Sequence, residues 1–185
     1  MEILNLLCRR REFRGRLEAN RKRMYRVAYS WCHDPHLADD LVQEAITKAL
    51  QNAGKLRKFE ALDSWLFSIL TNCWRGHLRA RRDTVEFDEN LHEGEASAQN
   101  LNSRLEVIQG VRNAVESLPL AQREVVTLVD LEGFSYAEVA EILAIPIGTV
   151  MSRLCRARQA LKARLLEEPA VAPQQGRAAK LVRVK

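Results

Sequence analysis

Two sets of side chains in this 185-residue chain have the types and spacing to bind nucleic acid. In the first, Ser152, Arg153, Arg156, Gln159 and Lys162 lie mostly away from an apolar stripe of Val150, Leu154, Ala157, Leu161 and Leu165 on one helix. Guanidiniums placed this way suit phosphate neutralisation or bidentate contact with a base edge. In the second, Trp65, Ser68, Asn72, Arg75, Arg79 and Arg82 recur at spacings of three and four along a helix that begins near residue 63 or 64. A flat ring, hydrogen-bonding groups and cations on one face suit a single strand, because bases stack on the ring while arginines neutralise phosphates. The plainer reading makes the basic faces solvated surface and Trp65 and Trp74 core. The joint presence of ring, amide and cation favours nucleic acid.

Other chemistry finds little support. Cys32, His33 and His36 are close in sequence and Cys73 and His77 are four apart, but four ligands with zinc-like spacing are not evident, so no metal site is expected. No phosphate-cradling glycine loop or nucleophile elbow is present, which leaves no catalytic residues to assign and no cofactor to expect. The cysteines Cys8, Cys32, Cys73 and Cys155 are scattered without paired spacing, as in a reducing cytoplasm. No run approaches the roughly 20 apolar residues that span a bilayer. The net charge of +5 points to an anionic partner, and its clustering matters more than its sum.

The elements that carry these faces are all helical. Ser135 and Glu138 have capping-box spacing and start a short helix whose inner side is Ala137, Ala140, Ile142 and Leu143. Pro146 and Gly148 interrupt it before the basic second helix, which makes a helix-turn-helix. Upstream, 9–32 reads as a helix with Phe13, Leu17, Met24, Val27, Ala28 and Trp31 inward and a basic outer side. Asp34 and Pro35 start another, with Leu37, Leu41, Ala45, Ala49 and Leu50 inward and Gly54 as its end. In the helix after 63, Leu66, Ile69, Leu70 and Cys73 face inward. The acidic, aperiodic stretch 83–104 reads as a linker. Beyond it, Leu105, Ile108, Val111, Val115 and Leu118 stripe one helix, 120–131 forms another, and 168–185 reads as a disordered basic tail. The expected fold is all-α, with two small helical domains joined by the linker.

DLVQEAITKAL at 40–50, FEALDSWLFSILTNCWRGHLR at 59–79 and LPLAQREVVTLVDLEGFSYAEVAEILAIPIGTVMSRLCRARQAL at 118–161 together resemble the extracytoplasmic-function branch of the bacterial sigma-70 family. Order, spacing and linker all agree over most of 10–167. The resemblance implies a promoter-melting domain, sigma-2, at 9–82 and a helix-turn-helix domain, sigma-4, at 105–167. It implies core RNA polymerase as partner, with the surface of Asp39, Asp40, Gln43 and Glu44 gripping the β′ coiled coil, further contact with the β subunit, and promoter DNA as the second partner. The loop and helix bearing Arg57, Lys58, Phe59, Ser64, Trp65, Asn72, Arg75 and Arg79 would receive the minus-ten strand. Gly148, Thr149, Ser152, Arg153, Arg156 and Arg158 would face the minus-thirty-five element. An anti-sigma factor is a further partner that the resemblance allows, and the place of action is the bacterial cytoplasm.

Two departures stand out. Met151 occupies a position where many relatives carry lysine or arginine. Gly76 lies in mid-helix, where it costs about 1 kcal/mol against alanine unless a close helix contact requires it. Two rival functions are a self-sufficient helix-turn-helix regulator and an RNA-binding module using the basic N-terminal helices. Neither accounts for the whole chain.

Overall fold

The computed structural model describes residues 2–56, 58–84 and 103–167, and among them every regular element is helical. The segments expected as linker and tail lie almost wholly outside these residues. Helix α1, Glu2–Cys32, buries the expected stripe of Phe13, Leu17, Met24, Val27, Ala28 and Trp31. His33 then adopts φ 55, a left-handed turn that reverses the chain. Asp34 caps α2, Pro35–Gln51, by accepting from the amides of His36 at 2.8 Å and Leu37 at 3.1 Å.

The inner face of α2 is rotated from the sequence expectation. Ala38, Leu41, Val42, Ala45 and Ala49 are buried, whereas Leu37 is half-buried and Leu50 is exposed. Small alanines allow α1 and α2 to approach, and the larger leucines are left at the rim. Gly54 does not end the helix. Asn52 does, with its side chain donating to the Lys48 carbonyl, and Gly54 sits in a following 3-10 turn, Ala53–Lys55. A second 3-10 turn, Phe59–Ala61, leads into α3, Leu62–Thr84.

Helix α3 is buried along two stripes. Leu62, Leu66, Leu70 and Cys73 form the expected one, with Ile69 only partly buried, and Phe67, Thr71 and Trp74 form a second at the same helical spacing. A later helix, Tyr136–Leu143, lies against α3, and Phe67 of the second stripe meets the ring of Phe134 just before it. A Cβ on Gly76 would meet nothing within 4 Å, so no close helix contact explains that glycine.

Helix α4, Ser103–Glu116, is more loosely held than its apolar pattern suggests. Ile108 and Val111 are exposed, Val115 is half-buried, and burial falls on Ala114 and on Leu118 beyond the helix end. Helix α5, Leu120–Val126, continues as a π turn over Thr127–Leu131, and Gly133, at φ 78, redirects the chain. Ser135 and Glu138 form the reciprocal capping box of α6, Tyr136–Leu143: the Glu138 carboxylate accepts from the Ser135 amide at 2.8 Å, and the Ser135 hydroxyl accepts from the Glu138 amide at 3.3 Å. The buried side of α6 is Val139, Ile142 and Leu143. Ala137 is exposed and Ala140 half-buried, a shift in phase that brings the bulkier side chains inward. Ala144 closes the helix in the left-handed region at φ 50, and the Ile145 amide donates to the Ala140 carbonyl at 3.0 Å. Pro146 precedes α7, Ile147–Glu167, with Val150, Leu154 and Ala157 buried.

The two helical groups share one apolar core. Phe134 meets Phe67 edge-to-face with centroids 4.9 Å apart, and the Arg23 guanidinium lies over both rings at 5.5 and 5.7 Å. Arg23 also donates to Glu132 at 2.8 Å, and Arg26 reaches the same carboxylate at 3.3 Å. The Glu132 side chain is only 2% exposed, so these partners are what keep its charge tolerable there.

Candidate nucleic-acid interface

The entry to α3 is held by a polar clamp. Asp63 accepts from Arg16 at 2.8 Å, Asn20 at 3.1 Å and Arg23 at 3.1 Å. Burial raises the Asp63 carboxyl, but the hydrogen bonds and charges from Arg16, Asn20 and Arg23 outweigh it and hold the group below the ordinary carboxylate range. Arg16 also lies 5.4 Å from the centre of the Phe59 ring. The clamp thereby fixes the loop that leads into the helix.

On the outer side of α3, Trp65 and Ser68 are half-buried, while Asn72 and Arg79 are exposed. Their spacing of three and four puts them on one strip, with Ser64 at its start and Lys58 exposed just before it. Ser64 and Ser68 each donate back to a carbonyl of their own chain, at Ala61 and Trp65. Arg57 and the side chain of Arg82 lie outside the described residues. Trp74 is core, at 5% exposure, and its indole stacks against His77. Trp65 is intermediate: one part packs on the core and another reaches the surface.

Arg75 differs from its neighbours on the strip. It is half-buried and, with Arg153 of α7, is one of the two charges that offset the effect of burial on Glu124, whose carboxyl remains raised. Two arginines assigned from sequence to separate DNA surfaces thus bear on one buried carboxylate of α5. No sequence spacing connects residues 75, 124 and 153, so only the tertiary fold reveals the relation.

The exposed side of α7 carries Gly148, Met151, Ser152, Cys155 and Arg156 in its first three turns. Arg156 donates to the Ser152 carbonyl at 3.2 Å and approaches its hydroxyl at 3.5 Å, which lays the guanidinium along the outer face. Thr149 and Arg153 are half-buried at the edge of that face. Arg158 is held by Asp130 of the π turn in a two-pronged ion pair, at 2.5 and 3.1 Å. The sequence set is therefore divided: Gly148, Ser152 and Arg156 are presented outward, Arg158 is exposed but paired with Asp130, and Thr149 and Arg153 are half-buried.

On α2, Asp39, Asp40, Gln43 and Glu44 are exposed. Glu44 pairs with Lys48 at 2.6 Å, and Asp39 and Asp40 make no ion pair among the described residues. The cysteines and histidines weighed for metal are dispersed. Cys32 donates to the Asp34 carbonyl, His33 contacts Arg123, and buried Cys73 lies near Glu44 and Lys48.

Comparison with known proteins agrees with this layout. Residues 17–84 match the family model for sigma-70 region 2 and residues 108–161 that for sigma-70 region 4. The chain is 38% identical over 128 residues to the ECF RNA polymerase sigma factor EcfG of Rhodopseudomonas palustris, covering 69% of this chain and 71% of that protein. It is 34% identical over 141 residues to the RNA polymerase sigma-H factor of Pseudomonas aeruginosa, covering 70% and 73%. Among solved structures it resembles the sigma factor RpoE of Bartonella quintana, crystallised with the anti-sigma factor NepR, with a TM-score of 0.70, 30% identity, and 85% and 98% of the two chains covered. CnrH in complex with the cytosolic domain of CnrY gives a TM-score of 0.62 at 26% identity, over 86% and 90%. The chain belongs to the ECF sigma factors of the sigma-70 family, which are factors of transcription initiation.

Proposed function

We propose that this chain performs its sigma-factor role by dividing labour among three surfaces. The unit at 9–82 docks on core RNA polymerase through Asp39, Asp40, Gln43 and Glu44 of α2, an acidic patch suited to the basic side of a polymerase coiled coil. The same unit holds the opened minus-ten strand along Lys58, Phe59, Ser64, Trp65, Asn72, Arg75 and Arg79, with Arg57 in the loop that receives a base. The unit at 105–167 reads the minus-thirty-five element with α7, led by Gly148, Thr149, Ser152 and Arg156. Arg153 and Arg158 add cations to that surface, Arg158 while paired with Asp130.

The observation that carries this reading is the outer strip of α3, where a partly exposed indole, an amide and arginines coincide on one face. A solvated face needs cations but has no use for a half-exposed tryptophan. The bond-making chemistry belongs to polymerase, so this chain acts in the bacterial cytoplasm as a specificity factor and not as a catalyst. An anti-sigma protein is a fitting regulator, since both solved relatives were determined in complex with partners, one of which is named as an anti-sigma factor.

A gel shift with and without core polymerase tests the reading. Specific DNA should be retained only when core enzyme is present. Tight, sequence-specific binding by the chain alone would favour the rival regulator.

A further inference from the structure

Met151 interrupts a polar reading surface with an apolar one. Met151 is 53% exposed, and with Cys155 and Tyr136 it walls a groove floored by buried Leu154 and rimmed by Arg158, Gln159 and Lys162. The groove begins at Met151 in the second turn of α7, beside Ser152 on the exposed side, and runs along the helix to Lys162. In a helix-turn-helix, those first turns meet the base edges and the preceding helix crosses the backbone.

The groove has a definite chemical preference. Thioether and thiol are soft, weakly hydrogen-bonding groups and the floor is aliphatic, so a base edge offering only donors and acceptors would be desolvated there without return. The major groove offers one apolar feature, the C5-methyl of thymine. Lys162 makes no ion pair among the described residues and stands at the far end of the groove, where the phosphate backbone flanking the element would be neutralised. Charge and polarity together suit duplex DNA bearing a thymine at this position.

We infer that Met151, with Cys155 and Tyr136, forms a thymine-methyl subsite within the upstream promoter element, so that this factor discriminates one or two positions by apolar contact instead of by a cationic side chain. The inference rests on the assignment of α7 as the helix that reads the upstream element.

The test begins with holoenzyme reconstituted from core polymerase and the full chain, used to enrich an upstream element from randomised duplexes. Each thymidine of the enriched element is then replaced by deoxyuridine, which removes the methyl and keeps every hydrogen-bonding group. One or two replacements should weaken holoenzyme binding about fourfold, the transfer value of one buried methyl. The Met151→Ala holoenzyme should bind thymidine and deoxyuridine duplexes equally at those positions, with an unchanged thermal melt. Indifference of the wild type to every replacement, or an enriched element without thymine, overturns the methyl subsite alone. Discrimination undiminished in Met151→Ala also overturns it, and leaves the groove to an acidic partner helix. Failure to enrich any upstream element overturns the assignment of α7 and this inference with it.

Discussion

Arg153 and Arg156 look equivalent along the chain, three residues apart on a basic helix, yet burial separates them. Arg156 lies along the open face of α7, while Arg153 is half-buried and offsets the charge of Glu124. Replacing Arg156 with alanine should cost holoenzyme about 1 to 3 kcal/mol in promoter affinity if the guanidinium takes a base edge bidentately. The loss would then fall on one position. A phosphate contact would weaken all sequences alike and lower the salt slope by about one, so binding measured across salt concentrations distinguishes the two. Gly76 allows a cleaner prediction, since its Cβ position is open and its φ is ordinary. Gly76→Ala should stabilise the fold by about 0.4 to 1 kcal/mol, read from a denaturant midpoint at unchanged slope.

At the scale of elements, the N-terminal caps of α2 and α6 were legible in the sequence, because Asp34-Pro35 and the Ser135/Glu138 box act locally, whereas the end of α2 at Asn52 and the π turn after α5 were not. Phases were less legible than caps. Apolar spacing in α2 and α6 admits two neighbouring stripes, and tertiary packing chose the one with Val42 or Val139 over the one with Leu37 or Ala137. The second stripe of α3 was also present as Phe67, Thr71 and Trp74. Its meaning depends on α6 arriving from across the linker, which no local pattern announces. The site divides the same way: the α3 strip and the acidic face of α2 follow from helical spacing, but the pairing of Arg158 with Asp130 and the influence of Arg75 and Arg153 on buried Glu124 do not. For α2, reversing Asp40 and Glu44 to lysine should leave the fold nearly unchanged, since exposed charges move stability by about 0.5 kcal/mol or less. Co-purification with core polymerase should fall sharply. A well-folded double variant that still binds fully would remove the patch from the docking surface.

At the scale of the whole molecule, the two helical groups are joined by contacts sensitive to protonation. Arg123 of α5 reaches back to donate to the Trp31 carbonyl at 3.2 Å and lies 2.6 Å from Nε2 of His33. A guanidinium only donates, so this nitrogen accepts and the imidazole is neutral. Burial, then the Arg123 charge, depresses the His33 pKa, with Glu116 opposing them from 3.8 Å. Because the folded state binds this proton less readily than the unfolded chain, stability rises with pH through the window from the depressed value to about 6.5, and is lost on acidification. His33→Asn, which tolerates the left-handed backbone, should flatten the slope of melting temperature against pH below about 6.5. An unaltered slope would show that other groups set the acid sensitivity.

These helices, caps and faces bear on whether the chain gives core polymerase a promoter. Run-off transcription from a promoter library, with core enzyme alone and with core enzyme plus this chain, measures that directly. Discrete, sequence-dependent transcripts are expected only in the second mixture, sharing an upstream and a minus-ten element at fixed spacing. Equal transcript patterns in the two mixtures, alongside specific DNA binding by the chain without polymerase, would contradict this expectation.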